Sequence, residues 1–160
     1  MKRFNYKIFF LISFLFSVYN FVACNTIDVY EKIATIPVHE WSSNNRLPFN
    51  FTATDTSAYY NIYFVIRHTE SYHFNNIYVD FTSVLPDKKS ETQRLNLSLT
   101  NGNGWLGTAM DDIIEQRVLI SKNPIRLAKG DYTFYLQQVM REDPLQNVLN
   151  AGIRVEKAVQ

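Results

Sequence analysis

The sequence predicts an all-β fold: an antiparallel two-sheet β-sandwich of immunoglobulin-like or jelly-roll type, following an N-terminal signal segment. Apolar and polar residues alternate with a period of two in one run after another, whereas helical periodicity is scarce. Turn residues separate these runs at short spacings. No strand–helix–strand rhythm is present, which argues against a parallel sheet. A closed β-barrel is the alternative architecture for the same pattern.

About eight strands are expected. Residues 30–36 should form an edge strand that Pro37 ends, with a loop over residues 41–45. Residues 111–120 are ambiguous, and we expect a short turn or helix followed by a strand over residues 117–120. The remaining strands alternate cleanly, and their apolar sets are Phe49, Phe51 and Ala53; Tyr60, Ile62, Phe64 and Ile66; Ile77, Val79 and Phe81; Leu95, Leu97 and Leu99; Tyr132, Phe134 and Leu136; and Ile153 and Val155.

Turn chemistry separates the predicted strands. Residues 86–89 form a polar turn after a proline, and residues 101–104 read Asn-Gly-Asn-Gly. Lys129, Gly130 and Asp131 give a third turn signal. Pro144 and Leu145 are expected in a connection with at most one helical turn.

The N-terminus has the pattern of an export signal. Lys2, Arg3 and Lys7 precede an apolar run over residues 8–22, which is short for a bilayer span of roughly 20 residues. Ala23 then precedes Cys24, the only cysteine of the chain. We expect residues 1–23 to be a lipoprotein signal peptide, residues 24–29 the lipidated cysteine and a short tether, and residues 30–160 a single β-sandwich domain. The alternatives are an ordinary secretory signal with an incidental cysteine, or a retained membrane anchor.

A lipidated Cys24 fixes several properties of the mature chain. The thiol would carry a diacylglycerol and the new amino terminus an acyl group such as palmitate, which together give stable membrane anchoring. The folded domain then holds no thiol, which excludes disulfides, cysteine metal sites and a cysteine nucleophile. After removal of three basic residues with the signal, 13 basic and 15 acidic residues remain. This balance, without a basic stripe in the sequence, predicts no nucleic-acid partner.

No segment matches a catalytic motif, so we predict neither an enzyme nor a cofactor. His68, Glu70 and His73 are clustered, but on a strand His73 would point away from the other two, and no metal site is predicted. Asp111, Asp112 and Glu115 have the pattern of a solvated turn.

Two tryptophans are the candidate binding residues. Trp105 lies between Gly104 and Gly107, and Trp41 lies in the predicted loop. Either ring, if exposed, would suit stacking on a sugar, which gives the alternative function of a carbohydrate- or peptidoglycan-binding module. For Trp105 a core position is favoured, since large aromatic residues are usually well buried.

Seven short segments, taken in order, resemble the gliding-motility lipoprotein H family of the Bacteroidota. They are the lipobox-like Ala23-Cys24, Ile66-Arg67-His68, Tyr72-x-Phe74-x-Asn76, Gly104-Trp105-Leu106-Gly107, Gly130-Asp131-Tyr132-x-Phe134, Gln138-Val139-Met140-Arg141 and Gly152-Ile153-Arg154-Val155-Glu156-Lys157. The resemblance spans nearly the whole mature domain. Phe21 departs from the leucine that is usual three residues before the cysteine.

The resemblance implies an exported, membrane-anchored lipoprotein associated with gliding motility and the linked type IX protein-secretion machinery. It supplies no catalytic motif, and it transfers only Cys24, as the lipidation site. The implied partners are the membrane, through that lipid, and other envelope proteins of the gliding and secretion apparatus. Surface-displayed lipoproteins of these bacteria have acidic residues soon after the cysteine, whereas Asn25, Thr26 and Ile27 are neutral. We therefore expect a cell-envelope protein that faces the periplasm.

Overall fold

A computed structural model describes residues 29–158, and the predicted signal segment and Cys24 lie outside them. The described chain is all-β, and its one helical element is a 3-10 turn at Pro37–His39. In this part of the chain no helix is long and apolar enough to cross a membrane. The strands are β1 (Val29–Thr35), β2 (Glu40–Trp41), β3 (Leu47–Ala53), β4 (Tyr59–Thr69), β5 (Asn76–Val84), β6 (Ser90–Ser98), β7 (Thr108–Met110), β8 (Ile113–Leu119), β9 (Ile125–Arg126), β10 (Gly130–Gln138), β11 (Leu145–Gln146) and β12 (Val148–Lys157).

The strands form two larger antiparallel sheets and one small one. The first has the order β1-β12-β4-β8-β7, with β9 also paired to β4, and the second has the order β3-β10-β5-β6. Strands β2 and β11 form a separate two-stranded ladder. Each larger sheet is open within residues 29–158, because its edge strands do not pair with each other. The closed-barrel alternative is therefore wrong.

The two larger sheets share one hydrophobic core. Phe51 of β3 contacts Tyr30 of β1 and Tyr60 of β4, with ring centroids 5.3 and 6.2 Å apart. The predicted inward sets are confirmed where alternation is cleanest. The side chains buried there are Tyr60, Ile62, Phe64, Ile66, Ile77, Val79, Phe81, Tyr132, Phe134, Leu136, Ile153 and Val155.

Antiparallel pairing collects the connections at two opposite ends of the fold. The near end, where the chain enters β1 at Val29, holds connections 54–58, 85–89 and 120–129. The far end holds connections 36–46, 70–75, 99–107, 111–112 and 139–147. Strand β4 has 11 residues, which at about 3.3 Å per residue separates the two ends by roughly 35 Å.

Local details differ from the sequence expectations. Strand β8 begins at Ile113 rather than at Arg117, and Asp111 and Asp112 form the tight turn before it. The short strands β2, β7, β9 and β11 were not predicted, and Leu145 lies in β11 rather than in an irregular connection. Each has two or three residues, too few to show a period of two, and only pairing with a distant strand defines it.

Candidate functional site

The N-terminal strand is held firmly to the body of the fold. β1 pairs with β12 over seven residues, from Val29 opposite Glu156 to Thr35 opposite Asn150. At Gly152 the strands approach so closely that a Cβ atom would lie 2.4 Å from the carbonyl oxygen of Lys32. Cys24 precedes Val29 by five positions, which at about 3.5 Å each span less than roughly 20 Å. A lipid on Cys24 would therefore hold the near end close to a membrane.

An ionic network crosses the outer face of the sheet that contains β1. Glu31 accepts hydrogen bonds from Arg154 at 2.9 Å and from Arg117 of β8 at 3.1 and 3.2 Å. Arg154 also binds Glu156, and Glu115 binds both Arg117 and Arg67. Burial alone would raise the pKa of Glu31, but the hydrogen bonds and charges of the two arginines outweigh it and lower that pKa. The network ties the N-terminal strand across the sheet.

A cleft of about 450 Å³ opens between the two larger sheets at the near end. Its floor is apolar and includes Ile62 and Phe134, while Lys122, Arg126 and Glu91 lie in its lining. β6 is exposed from Ser90 to Arg94, so the facing sheet does not cover this part of β6. The cleft combines an apolar interior with charged residues in its lining.

At the far end, Trp105 packs against a buried histidine. The ring of His68 lies 4.6 Å from that of Trp105 and 5.2 Å from that of Tyr72. His68 Nδ1 lies 2.8 Å from the carbonyl oxygen of Thr69, which assigns the proton to Nδ1. Nε2 has no partner in the described chain, and burial lowers the pKa of His68. Trp105 is half-buried and packs on the core, as the favoured interpretation expected.

Trp41 is fully buried at the same end. Its Nε1 donates to the carbonyl oxygen of Asn45 at 2.9 Å, and its own carbonyl oxygen accepts from Gln138 Nε2 at 3.1 Å. A ring in this position offers no face to a ligand. The binding role of Trp105 and Trp41 stays a prediction, and Trp105 is the more accessible of the two.

The other candidate groups do not come together. His68 is buried, whereas Glu70 and His73 are exposed, and His73 contacts Glu142 instead. Within residues 29–158 no three histidines, cysteines or carboxylates are grouped as metal ligands. Asp111 and Asp112 lie in an exposed turn.

A groove of about 470 Å³ lies on the outer face of the four-stranded sheet at the far end. Tyr78, 39% exposed, and the half-buried Phe74 and Met140 supply apolar surface. Arg94 and Arg141 add positive charge, and Arg94 is held by Asp80 through two hydrogen bonds of 2.8 and 2.9 Å. Arg141 is exposed and has no carboxylate within 4 Å among the described residues. Tyrosine, methionine and arginine are enriched at protein interfaces.

The sequence did not predict this groove, because its residues come from β5 and from the end of β10, which are distant in sequence and become neighbours only in the folded sheet. The backbone N–H of Val139 donates to the carbonyl oxygen of Tyr78 at 3.0 Å, which brings the segments together. The family resemblance was the one sequence signal that could have indicated these residues. Two of its segments, residues 72–76 and 138–141, supply Phe74, Asn76, Val139, Met140 and Arg141 to the lining.

A family model described as GldH lipoprotein matches residues 28–155. The chain belongs to the GldH lipoprotein family. The match covers every described strand except the last two residues of β12, so membership does not rest on the N-terminal signal. The resemblance inferred from the sequence is confirmed.

Two relatives of the family align over most of their length. The chain is 26% identical over 153 residues to a gliding motility lipoprotein GldH homolog of Christiangramia forsetii, covering 91% of this chain and 93% of the relative. It is 24% identical over 138 residues to the gliding motility lipoprotein GldH of Flavobacterium johnsoniae, covering 81% and 83%. Among solved structures, the VP2 subviral particle of infectious bursal disease virus aligns over 83% of this chain and 33% of the viral chain, at 15% identity. Its TM-score of 0.36 is too low to support any argument.

Proposed function

We propose that this protein is a non-enzymatic lipoprotein of the gliding-motility and type IX secretion machinery, anchored through Cys24 and acting by protein contacts. The observation that carries the proposal is the family match over residues 28–155, together with relatives named as gliding motility lipoproteins. Two open sheets around one core suit a β-sandwich that serves as a scaffold. The neutral residues after Cys24 favour a domain that faces the periplasm.

The anchor is tested by Cys24→Ser in a strain that lacks the chromosomal copy. We expect the variant to lose incorporation of labelled palmitate and to leave the membrane fraction. It should also fail to restore cell spreading and type IX cargo secretion. A variant that still labels and stays in the membrane fraction would show that Cys24 is not the lipidation site.

The groove at the far end is the proposed contact surface. Tyr78 lies six strand positions from Val84 at the near end of β5, which is roughly 20 Å, so a partner would reach it while the near end faces the membrane. The groove's apolar lining and Arg141, which has no ion-pair partner among residues 29–158, suit a protein segment with an apolar side chain next to a carboxylate. Tyr78 is the exposed aromatic side chain of this surface.

Tyr78→Glu tests the groove by placing a charge in its apolar lining. The matched control is Leu119→Glu, because Leu119 is 48% exposed and lies on the other sheet. We expect Tyr78→Glu to reduce spreading and secretion severalfold at wild-type protein level, with Leu119→Glu close to wild type. Full complementation by Tyr78→Glu would exclude this groove as the contact surface and leave the Cys24 test unaffected.

The alternative of a carbohydrate- or peptidoglycan-binding module rests on Trp105. Trp105 is half-buried, with its ring against His68 and Tyr72, so part of the residue stays accessible to a ligand. Sedimentation with purified peptidoglycan tests it. Binding that Trp105→Ala abolishes would favour this function over protein contact.

A further inference from the structure

The two ends of the fold carry opposite charge. The three near-end connections contain five basic residues (Lys88, Lys89, Lys122, Arg126 and Lys129) and two acidic ones (Asp55 and Asp87). The far-end connections contain two basic residues (Arg46 and Arg141) and six acidic ones (Glu40, Glu70, Asp111, Asp112, Glu142 and Asp143). The connections at the two ends thus differ in the sign of their net charge, and the positive set lies at the end that Cys24 precedes.

Much of the near-end positive charge is free to bind a partner. Lys88, Lys122 and Lys129 are exposed, and none has a carboxylate within 4 Å among residues 29–158. Lys89 is paired with Asp87 at 2.9 Å, and the Arg126 guanidinium lies 4.8 Å from the Tyr59 ring. The carboxylates of Glu91 and Asp131 lie just inside the adjoining strands, and Asp131 accepts a hydrogen bond from Thr52.

The basic residues come from separate connections that meet in space. Leu85, Lys122 and Arg126 line the same cleft, and Gly130 packs directly on Pro86. The sequence shows no basic stripe because Lys88 and Lys122 are far apart along the chain. The tertiary fold brings the two connections that carry them together.

An exposed apolar pair lies within this surface. Pro124 and Ile125 are exposed, Ile125 at 37%, and they lie between Lys122 and Arg126. An apolar tip flanked by cations is the arrangement of segments that rest in a lipid interface, where the cations meet phosphates and the apolar side chains enter the acyl boundary.

We infer that the near end, formed by connections 85–89 and 120–129, is a contact surface for the anionic phospholipid headgroups of the membrane that holds the lipid anchor. This inference rests on the proposed anchoring through Cys24. The short tether places this end within roughly 20 Å of the bilayer, and its positive charge complements the negative surface. The result is a fixed orientation, with the acidic far end and its groove directed away from the membrane.

The test uses the lipidated protein in vesicles of phosphatidylglycerol and phosphatidylcholine in equal parts, and in phosphatidylcholine alone. Flotation of the vesicles first shows whether the protein binds each vesicle type. Asn123→Cys at the near end and Asn103→Cys at the far end then each provide one free thiol for a fluorescent donor, with the acceptor on the lipid headgroups. In the mixed vesicles we expect severalfold higher transfer from position 123 than from position 103. Concentrated salt should reduce this difference.

The charge variants decide between electrostatic contact and simple tethering. The double variant Lys122→Glu with Lys129→Glu should abolish the difference in energy transfer between positions 123 and 103. Lys32→Glu with Arg46→Glu, the matched control on exposed cations elsewhere, should preserve it. Equal transfer from both positions, or a difference insensitive to charge reversal and salt, would overturn the inference.

Flotation separates failure of the anchor from failure of the surface. Protein that floats with both vesicle types supports the anchor, and the transfer data then judge the surface alone. Flotation only with the anionic vesicles, reversed by salt, would support the surface and refute the anchor. No flotation with either would overturn both.

Discussion

Glu31 and Arg117 bind each other although two strands, β12 and β4, lie between them. Their contact distances are 3.1 and 3.2 Å. Gly152 and Val65 occupy the neighbouring positions on the intervening strands, where Gly152 has no side chain and Val65 is fully buried despite pointing outward. The ion pair therefore links the N-terminal strand to β8 across two intervening strands.

Glu31→Gln tests this link through pH. Arg117 and Arg154 lower the pKa of Glu31 in the folded state, so its stabilisation is full above its ordinary pKa of 4.5 and is lost as pH falls through the folded value. Because the Arg117 side chain is 43% exposed, we expect a loss of up to about 1 kcal/mol at pH 7. The loss should shrink at acidic pH, as measured by urea unfolding between acid and neutral pH.

Glu91→Gln is the control for this prediction, since Glu91 is exposed and forms no ion pair within the described chain. Equal stability of Glu31→Gln and wild type at pH 7 would show that the network contributes nothing to folding.

His68 predicts a second pH effect. Burial lowers its pKa below the ordinary value of 6.5, so the unfolded chain binds the proton more readily than the folded one. The free energy of unfolding should be highest above pH 6.5 and fall as pH drops through the folded pKa. His68→Phe, which keeps an aromatic ring against Trp105, should flatten this slope in urea titrations. His39→Asn, which removes an exposed histidine, should keep it; an unchanged slope in His68→Phe would refute the assignment.

Gln138 joins two far-end connections. Its side-chain oxygen accepts from the Met140 N–H at 2.8 Å, and its Nε2 donates to the Trp41 carbonyl oxygen at 3.1 Å. Gln138→Leu leaves the Met140 N–H and the Trp41 carbonyl oxygen without these hydrogen bonds, which should lower the free energy of unfolding by about 2 kcal/mol. Thermal unfolding measures the loss. Gln137→Leu, at the half-buried neighbouring position, should cost less, and a reversed order would contradict the assigned role.

Gly152→Ala should weaken the attachment of β1. The added Cβ would lie 2.4 Å from the Lys32 carbonyl oxygen and 2.9 Å from Ile33 Cα, so backbone must move. We expect a loss of about 2 kcal/mol or more and faster tryptic cleavage after Lys32. Gly102→Ala, where a Cβ meets open space and only the positive φ is strained, is the control. Similar losses in both variants would mean that the β1–β12 approach is not critical.

The sequence predicted the buried side chains correctly in strands whose alternate residues all face the hydrophobic core. Ile77, Val79 and Phe81 alternate in the sequence and are all buried in the structure. The prediction failed where burial has another cause. The alternation places Val65 outward, yet it is fully buried, and its cross-strand neighbours Gly152 and Arg117 belong to strands that are distant in sequence. β8 was also placed too late, because its first residues, Ile113 and Ile114, become a strand by pairing with Thr69 and His68 of β4.

The sequence by itself determined the all-β class, the inward faces of the longer strands and the family, because period-two alternation and short ordered motifs are local properties of the chain. Only the tertiary structure decided which side chains share a surface. The groove around Tyr78 and the cluster of His68 with Trp105 each join segments that are distant in sequence. So does the basic near end, where connections 85–89 and 120–129 meet. Antiparallel pairing gathers alternate connections at one end of the fold, and that arrangement follows from strand order, which no local pattern encodes.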